Sequence, residues 1–255
     1  MPSWRVKLAV SGAITIAENL TLSVEKQTNY SSFMTAVAIK RATHGVEIHL
    51  DALATNREEA NEVAIYFVGQ TLDVLGLYLD EPLYLSFSGT GFRAVDTNAK
   101  RIVLEQEWED AFKRSRDYGQ KRLFFSRALS WYRKGLTSDD LIDKLFAFWV
   151  SLEIIGNKFH TKTPKTKGDG KSKNRVLNCF DQIWGSSETW KVVTNDTKWI
   201  DDIHELRNKV VHGGMTVEPE TIKLIAQRIS RLQALASKFL LDWESHGSDL
   251  FGENT

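Results

Sequence analysis

The chain has 255 residues, of which 42% are hydrophobic, so it can bury a substantial core in one large domain or two modest ones. Lys plus Arg and Asp plus Glu each total 33, a formal charge of zero that excludes a global basic field for nucleic acid; any such site must come from local clustering. The single cysteine, Cys179, excludes an intrachain disulfide, and its apolar neighbours Val176, Leu177 and Phe180 predict a small buried side chain.

From the N-terminus, Val6, Leu8 and Val10 alternate with other residues, followed by Ile14 and Ile16, then Leu20, Leu22 and Val24, which predicts strands. Met34–Ile39 and Val46–Leu50 predict two more. The Val6–Ile16 run is too short and too interrupted to span a bilayer. No secretory signal is evident, so no membrane association and a cytoplasmic location are expected. Between Asn56 and Leu79 the period becomes helical, with Ala60, Val63, Phe67, Leu72 and Leu75 near one face. Pro82 ends that helix, Leu83–Phe87 predicts a closing strand, and Ser88–Gly91 a turn or linker. Residues 1–95 therefore read as a small α/β domain of unknown role. Gly89-Thr90-Gly91 is too short to count as a nucleotide loop.

Residues 96–117, with the charged run Gln106–Arg116, are expected to be a linker or connecting helix. Residues 118–245 then read as an all-α bundle, and 246–255 as a tail, which makes the whole chain α+β. Thr137-Ser138-Asp139-Asp140 is an N-cap cluster for a helix with Leu141, Leu145, Phe148, Leu152, Ile155 and Phe159 on its stripe. Pro219 suits the first position of a last helix bearing Ile222, Ile225, Ile229, Leu232, Ala236, Phe239 and Trp243. Weaker patterns at about 118–134, 174–184 and 197–212 bring the expected bundle to five helices.

Candidate chemistry concentrates in the 197–212 helix. Trp199, Ile203, Leu206 and Val210 form its apolar stripe, and Arg207 falls about 40° from Ile203 at ~100° per residue, inside that arc. A guanidinium there must be paired, placed in a cleft or set at a subunit interface. Asn208 and His212 are four apart on one face. Gly213-Gly214 marks the helix end, where the dipole favours a protonated imidazole. Arg207 could bind phosphate by two parallel hydrogen bonds.

Arg207-Asn208-Lys209-Val210-Val211-His212 resembles the R-x4–6-H motif of HEPN domains, and Leu145–Glu153 resembles the aromatic-rich helix with a Leu-Glu pair of their Apea-like branch; together these cover about half of the chain. The resemblance implies a HEPN-type bundle. It also implies a metal-independent endoribonuclease without cofactors, acting as a homodimer whose Arg/His pairs meet in a composite cleft. In that chemistry the ribose 2′-OH attacks the adjacent phosphate and leaves a 2′,3′-cyclic end. His212 would manage protons, Arg207 would stabilise the phosphorane, and Asn208 would orient His212 or the phosphate. A toxin or anti-phage defence effector, with a possible regulatory protein or complex partner, is the family role that fits. The alternative is a non-catalytic HEPN module for dimerisation or for binding RNA or nucleotide.

Glu153 shares an arc with Phe146 and Trp149 and could pair with Arg207; an ordinary carboxylate at the edge of the core is the competing reading. Lys162, Lys165, Lys167, Lys171, Lys173 and Arg175 form a basic loop opposed only by Asp169. With Lys209 they are candidates for phosphate contacts to RNA, against the competing reading of a solvated surface loop. Gly170-Lys171-Ser172 is not a P-loop, because position 165 is Lys where glycine is needed and a helix precedes it. The histidines, His204 among them, are scattered without metal-ligand spacing.

Overall fold

The computed structural model describes residues 1–23, 34–95, 99–163, 172–211 and 218–250. They form two compact units, Met1–Gln120 and Lys121–Thr255, within a chain that is mixed α+β with a helical C-terminal half.

The first unit is built on a five-stranded antiparallel sheet in the order β3-β4-β5-β1-β6, comprising β1 (Ser3–Ser11), β3 (Leu20–Ser23), β4 (Met34–Ala42), β5 (Gly45–Leu53) and β6 (Tyr84–Phe87). β2 (Ile14–Thr15) and β7 (Arg101–Ile102) make a separate short parallel pair. Alternation decides the faces: Val46, Ile48, Leu50 and Ala52 of β5 are buried, while Glu47, His49 and Asp51 point the other way. Gly45 has φ of +146°, and a Cβ there would lie 2.0 Å from the Val10 carbonyl oxygen, so only glycine fits at this entry to β5.

Helix α1 (Arg57–Leu79) begins at Asn56, whose side chain accepts from Glu59 N–H at 2.9 Å. Its buried stripe is Ala60, Ala64, Val68, Leu72 and Leu75; the expected Val63 and Phe67 are only half-buried. By length and hydropathy alone α1 could cross a membrane, yet just over half of its most apolar window is buried inside the protein.

The segment expected to be a linker or connecting helix contains α2 (Glu105–Lys121), which belongs to the first unit. Trp108, Ala111, Phe112, Ser115 and Tyr118 are buried on one stripe between charged residues. Ser115 Oγ meets Thr71 Oγ1 of α1 at 3.3 Å in a buried setting.

The second unit is a five-helix arrangement: α3 (Leu123–Thr137), α4 (Leu141–Phe159), α5 (Ser172–Trp184), α6 (Thr197–Val211) and α7 (Pro219–Leu250). The single expected helix at 118–134 is in fact the end of α2 and most of α3, divided at Arg122, whose φ/ψ of −128°/52° is not helical. Asp140 caps α4 by accepting from the N–H groups of Ile142 and Asp143. All four other helices of the unit touch α4, which is why it buries Ala147, Trp149, Ser151 and Glu153 as well as the expected Leu145, Phe148, Leu152, Ile155 and Phe159. Phe180, Phe239 and Trp243 complete an aromatic core with ring centroids 4.8 to 5.7 Å apart.

Candidate functional site

Two helices present the candidate residues toward each other. On α4, Phe146, Trp149 and Glu153 follow i, i+3, i+7 spacing; on α6, His204, Arg207 and Asn208 follow i, i+3, i+4. Helical periodicity therefore places each trio on one face, and the close approach of α4 and α6 sets the faces together.

Arg207 Nη2 donates to Glu153 Oε2 at 3.1 Å, with side-chain exposures of 17% and 11%, low enough that neither charge is simply solvated. The Arg207 Nη1 donates to Asn208 Oδ1 at 2.8 Å, and the guanidinium carbon lies 5.4 Å from the Phe146 ring centre. The placement of Arg207 inside the apolar arc thus has its physical resolution: a carboxylate partner from the neighbouring helix. Two of the five guanidinium N–H groups are engaged this way, while the buried Nε has no hydrogen-bond partner.

The other oxygen of Glu153 accepts from the Ser172 hydroxyl at 2.7 Å. Ser172 Oγ is also 3.4 Å from His204 Nε2, and Asn208 Nδ2 is 3.3 Å from the same ring nitrogen. The imidazole packs at 5.5 Å from Trp149, whose indole Nε1 is buried without a partner. Burial pushes the His204 pKa below the usual histidine value; Glu153 opposes that shift, Lys173 and Arg207 add to it, and Asp201 opposes it. Near neutral pH the ring is therefore uncharged and able to accept a proton or a hydrogen bond from Asn208. His204 and Ser172 were not selected from the sequence. The i, i+3, i+4 relation of His204 to Arg207 and Asn208 was the available signal.

His212, the proposed proton carrier, lies outside the described residues; α6 is described to Val211, the residue before it. Lys165, Lys167 and Lys171 lie outside them too. Of the remaining basic candidates, Lys162 is exposed, Lys173 pairs with Asp201 at 2.5 Å, Lys209 pairs with Glu205 at 2.6 Å, and Arg175 donates to Asn157 at 3.0 Å. Cys179 is fully buried and its thiol is pushed up to about 12 by desolvation, so it is no nucleophile. Among the described residues no three His, Cys, Asp or Glu side chains gather as a metal site would require.

Comparison of the chain with protein-family models, with curated proteins and with solved structures finds no match.

Proposed function

We propose that the helical half is a HEPN-type bundle and that the protein is a metal-independent endoribonuclease, working as a homodimer in toxin or anti-phage defence. The observation that carries this reading is the Arg207 guanidinium, held beside Asn208 by Glu153 and Phe146, five positions ahead of His212 in the sequence. Arg207 and Asn208 lie in the last described turn and a half of α6, which is described to Val211. In the reaction the ribose 2′-oxygen bonds to phosphorus and the bond from phosphorus to the 5′-oxygen breaks. The proton leaves the 2′-OH for His212, and a proton returns to the departing 5′-oxygen. The remaining N–H groups of Arg207 stabilise the charge on the phosphorane oxygens.

One observation favours a second reading: Glu153 already neutralises Arg207, an arrangement equally suited to a non-catalytic module that binds RNA or a partner. Cleavage of single-stranded RNA in EDTA separates the two. The nuclease reading expects 2′,3′-cyclic phosphate ends from the wild type, a loss of at least 100-fold in rate in His212→Ala and in Arg207→Lys, and no cutting of DNA. RNA retained uncut by a folded wild-type protein selects the second reading, and cleavage indifferent to both substitutions discards the site.

A further inference from the structure

The first unit leaves part of one strand edge unused. On one side β1 pairs with β5 along its whole length, whereas on the other β6 covers only Leu8–Ser11. Ala54 N–H donates to the Pro2 carbonyl at 3.2 Å and Gly12 N–H to the His44 carbonyl at 3.0 Å, so the even-numbered residues of β1 turn their backbone polar groups toward β5. By the alternation of an antiparallel ladder, the N–H and C=O groups of Ser3 and Arg5 face the opposite side, where no described strand pairs with them, while Lys7 stands opposite Ser88, where the chain continuing from β6 still lies beside β1. All three residues are exposed.

Alongside this stretch runs a cleft of about 760 Å³, lined among others by Trp4, Val6 and Phe87 and by the cations Arg5, Lys7 and Arg57, with no acidic residue in its wall. Arg5 is held by Asp51 at 2.8 Å. Among the described residues Lys7 and Arg57 have no ion-pair partner. The carboxylate nearest in effect to Lys7, Glu47, is engaged by Ser88 and His49.

We propose that this edge binds an extended acidic peptide, which adds to the sheet as a short strand beside Ser3–Val6, ending where the chain from β6 lies beside Lys7. Main-chain pairing would supply the contacts at every second residue, and carboxylates would meet Lys7 and Arg57 while apolar side chains enter toward Trp4, Val6 and Phe87. A second copy of the same edge is the wrong partner, because it would bring Arg5 and Lys7 against their own like charges. A nucleic-acid backbone suits the edge less well than a peptide: phosphates accept hydrogen bonds but donate none to the outward carbonyls.

The test selects random dodecapeptides displayed on phage against the full-length protein, then measures the enriched sequence as a synthetic fluorescent peptide by anisotropy. Enriched peptides carry Asp or Glu alternating with apolar residues. Combined Lys7→Glu and Arg57→Glu substitution weakens binding at least tenfold. Arg5→Pro, which deletes one outward N–H and is tolerated on an edge strand, weakens it several-fold relative to Arg5→Ala, with circular dichroism confirming that each variant folds. The proposal is overturned by no enrichment, by enrichment without acidic residues, by binding indifferent to the charge reversals, or by equal affinity of the Pro and Ala variants. Displacement of the peptide by polyuridylate, with RNA binding lost in the same variants, assigns the edge to nucleic acid instead.

Discussion

His204 shows how a side chain passed over as one of several scattered histidines becomes part of a site once its neighbours are known. The groups that face it are Glu153 from α4, Lys173 beside Ser172 on α5, and Asp201 and Arg207 on its own helix. Burial is the largest influence and holds the folded-state pKa below the ordinary value of about 6.5. As pH falls through that ordinary value the unfolded chain takes up the proton first. This contribution to stability is therefore present above about pH 6.5 and is lost toward the lower folded pKa. The urea midpoint of the wild type is expected to fall more between pH 7.5 and 5.5 than that of His204→Gln, which carries no titrating ring. Parallel declines in the two proteins would place the acid sensitivity elsewhere. Arg207 was legible in the sequence because a charge inside an apolar arc requires a partner, and Glu153 was a candidate because it shares an arc with two aromatics. Ser172 was not legible, because nothing local says that the first residue of α5 meets a carboxylate on α4.

At the scale of elements, periodicity foretold most strands and helices, since alternation and the 3.6-residue stripe each bury one face. It failed where burial is not one-sided or not local. α2 was obscured by six acidic and basic residues scattered through Gln106–Arg116, although Trp108, Ala111, Phe112, Ser115 and Tyr118 form its inner face. The break at Arg122 has no turn residue to announce it, and the strand order depends on pairings between distant segments that no local pattern records. Tight packing of α4 is equally invisible in the sequence, yet it has a measurable consequence at Gly156. A Cβ there would meet the backbone nitrogen of Val176 at 2.9 Å and the carbonyl carbon of Arg175 at 3.1 Å, atoms that cannot swing aside. Gly156→Ala gains about 1 kcal/mol of helix propensity but forces α5 away from α4, a strain of roughly 1–3 kcal/mol for overpacking. A net loss of stability is expected in urea unfolding, and a gain would show that α5 yields freely.

Across the whole molecule, zero net charge means that RNA binding, on the proposed ribonuclease reading, must come from local cations, and several of the expected ones already have partners inside the chain. Lys173 is tied to Asp201, Lys209 to Glu205 and Arg175 to Asn157. If all seven basic candidates met phosphates, log K for single-stranded RNA would fall against log salt with a slope near −5, at about 0.7 per contact. With Lys173 and Lys209 already paired to carboxylates inside the chain, a slope shallower by about 1.4 is expected. The ion pair at Lys173 supplies the decisive comparison, because its carboxylate is the more exposed partner and can be removed with little packing loss. Asp201→Ala frees the Lys173 ammonium, so RNA binding at low salt should tighten and the slope should steepen by about 0.7. Lys173→Ala in the otherwise unchanged protein should alter neither by much. Filter binding over a range of salt concentrations measures both quantities. If removal of Asp201 leaves the slope as it was, Lys173 has no path to the phosphate chain and the basic segment around it is no part of an RNA surface.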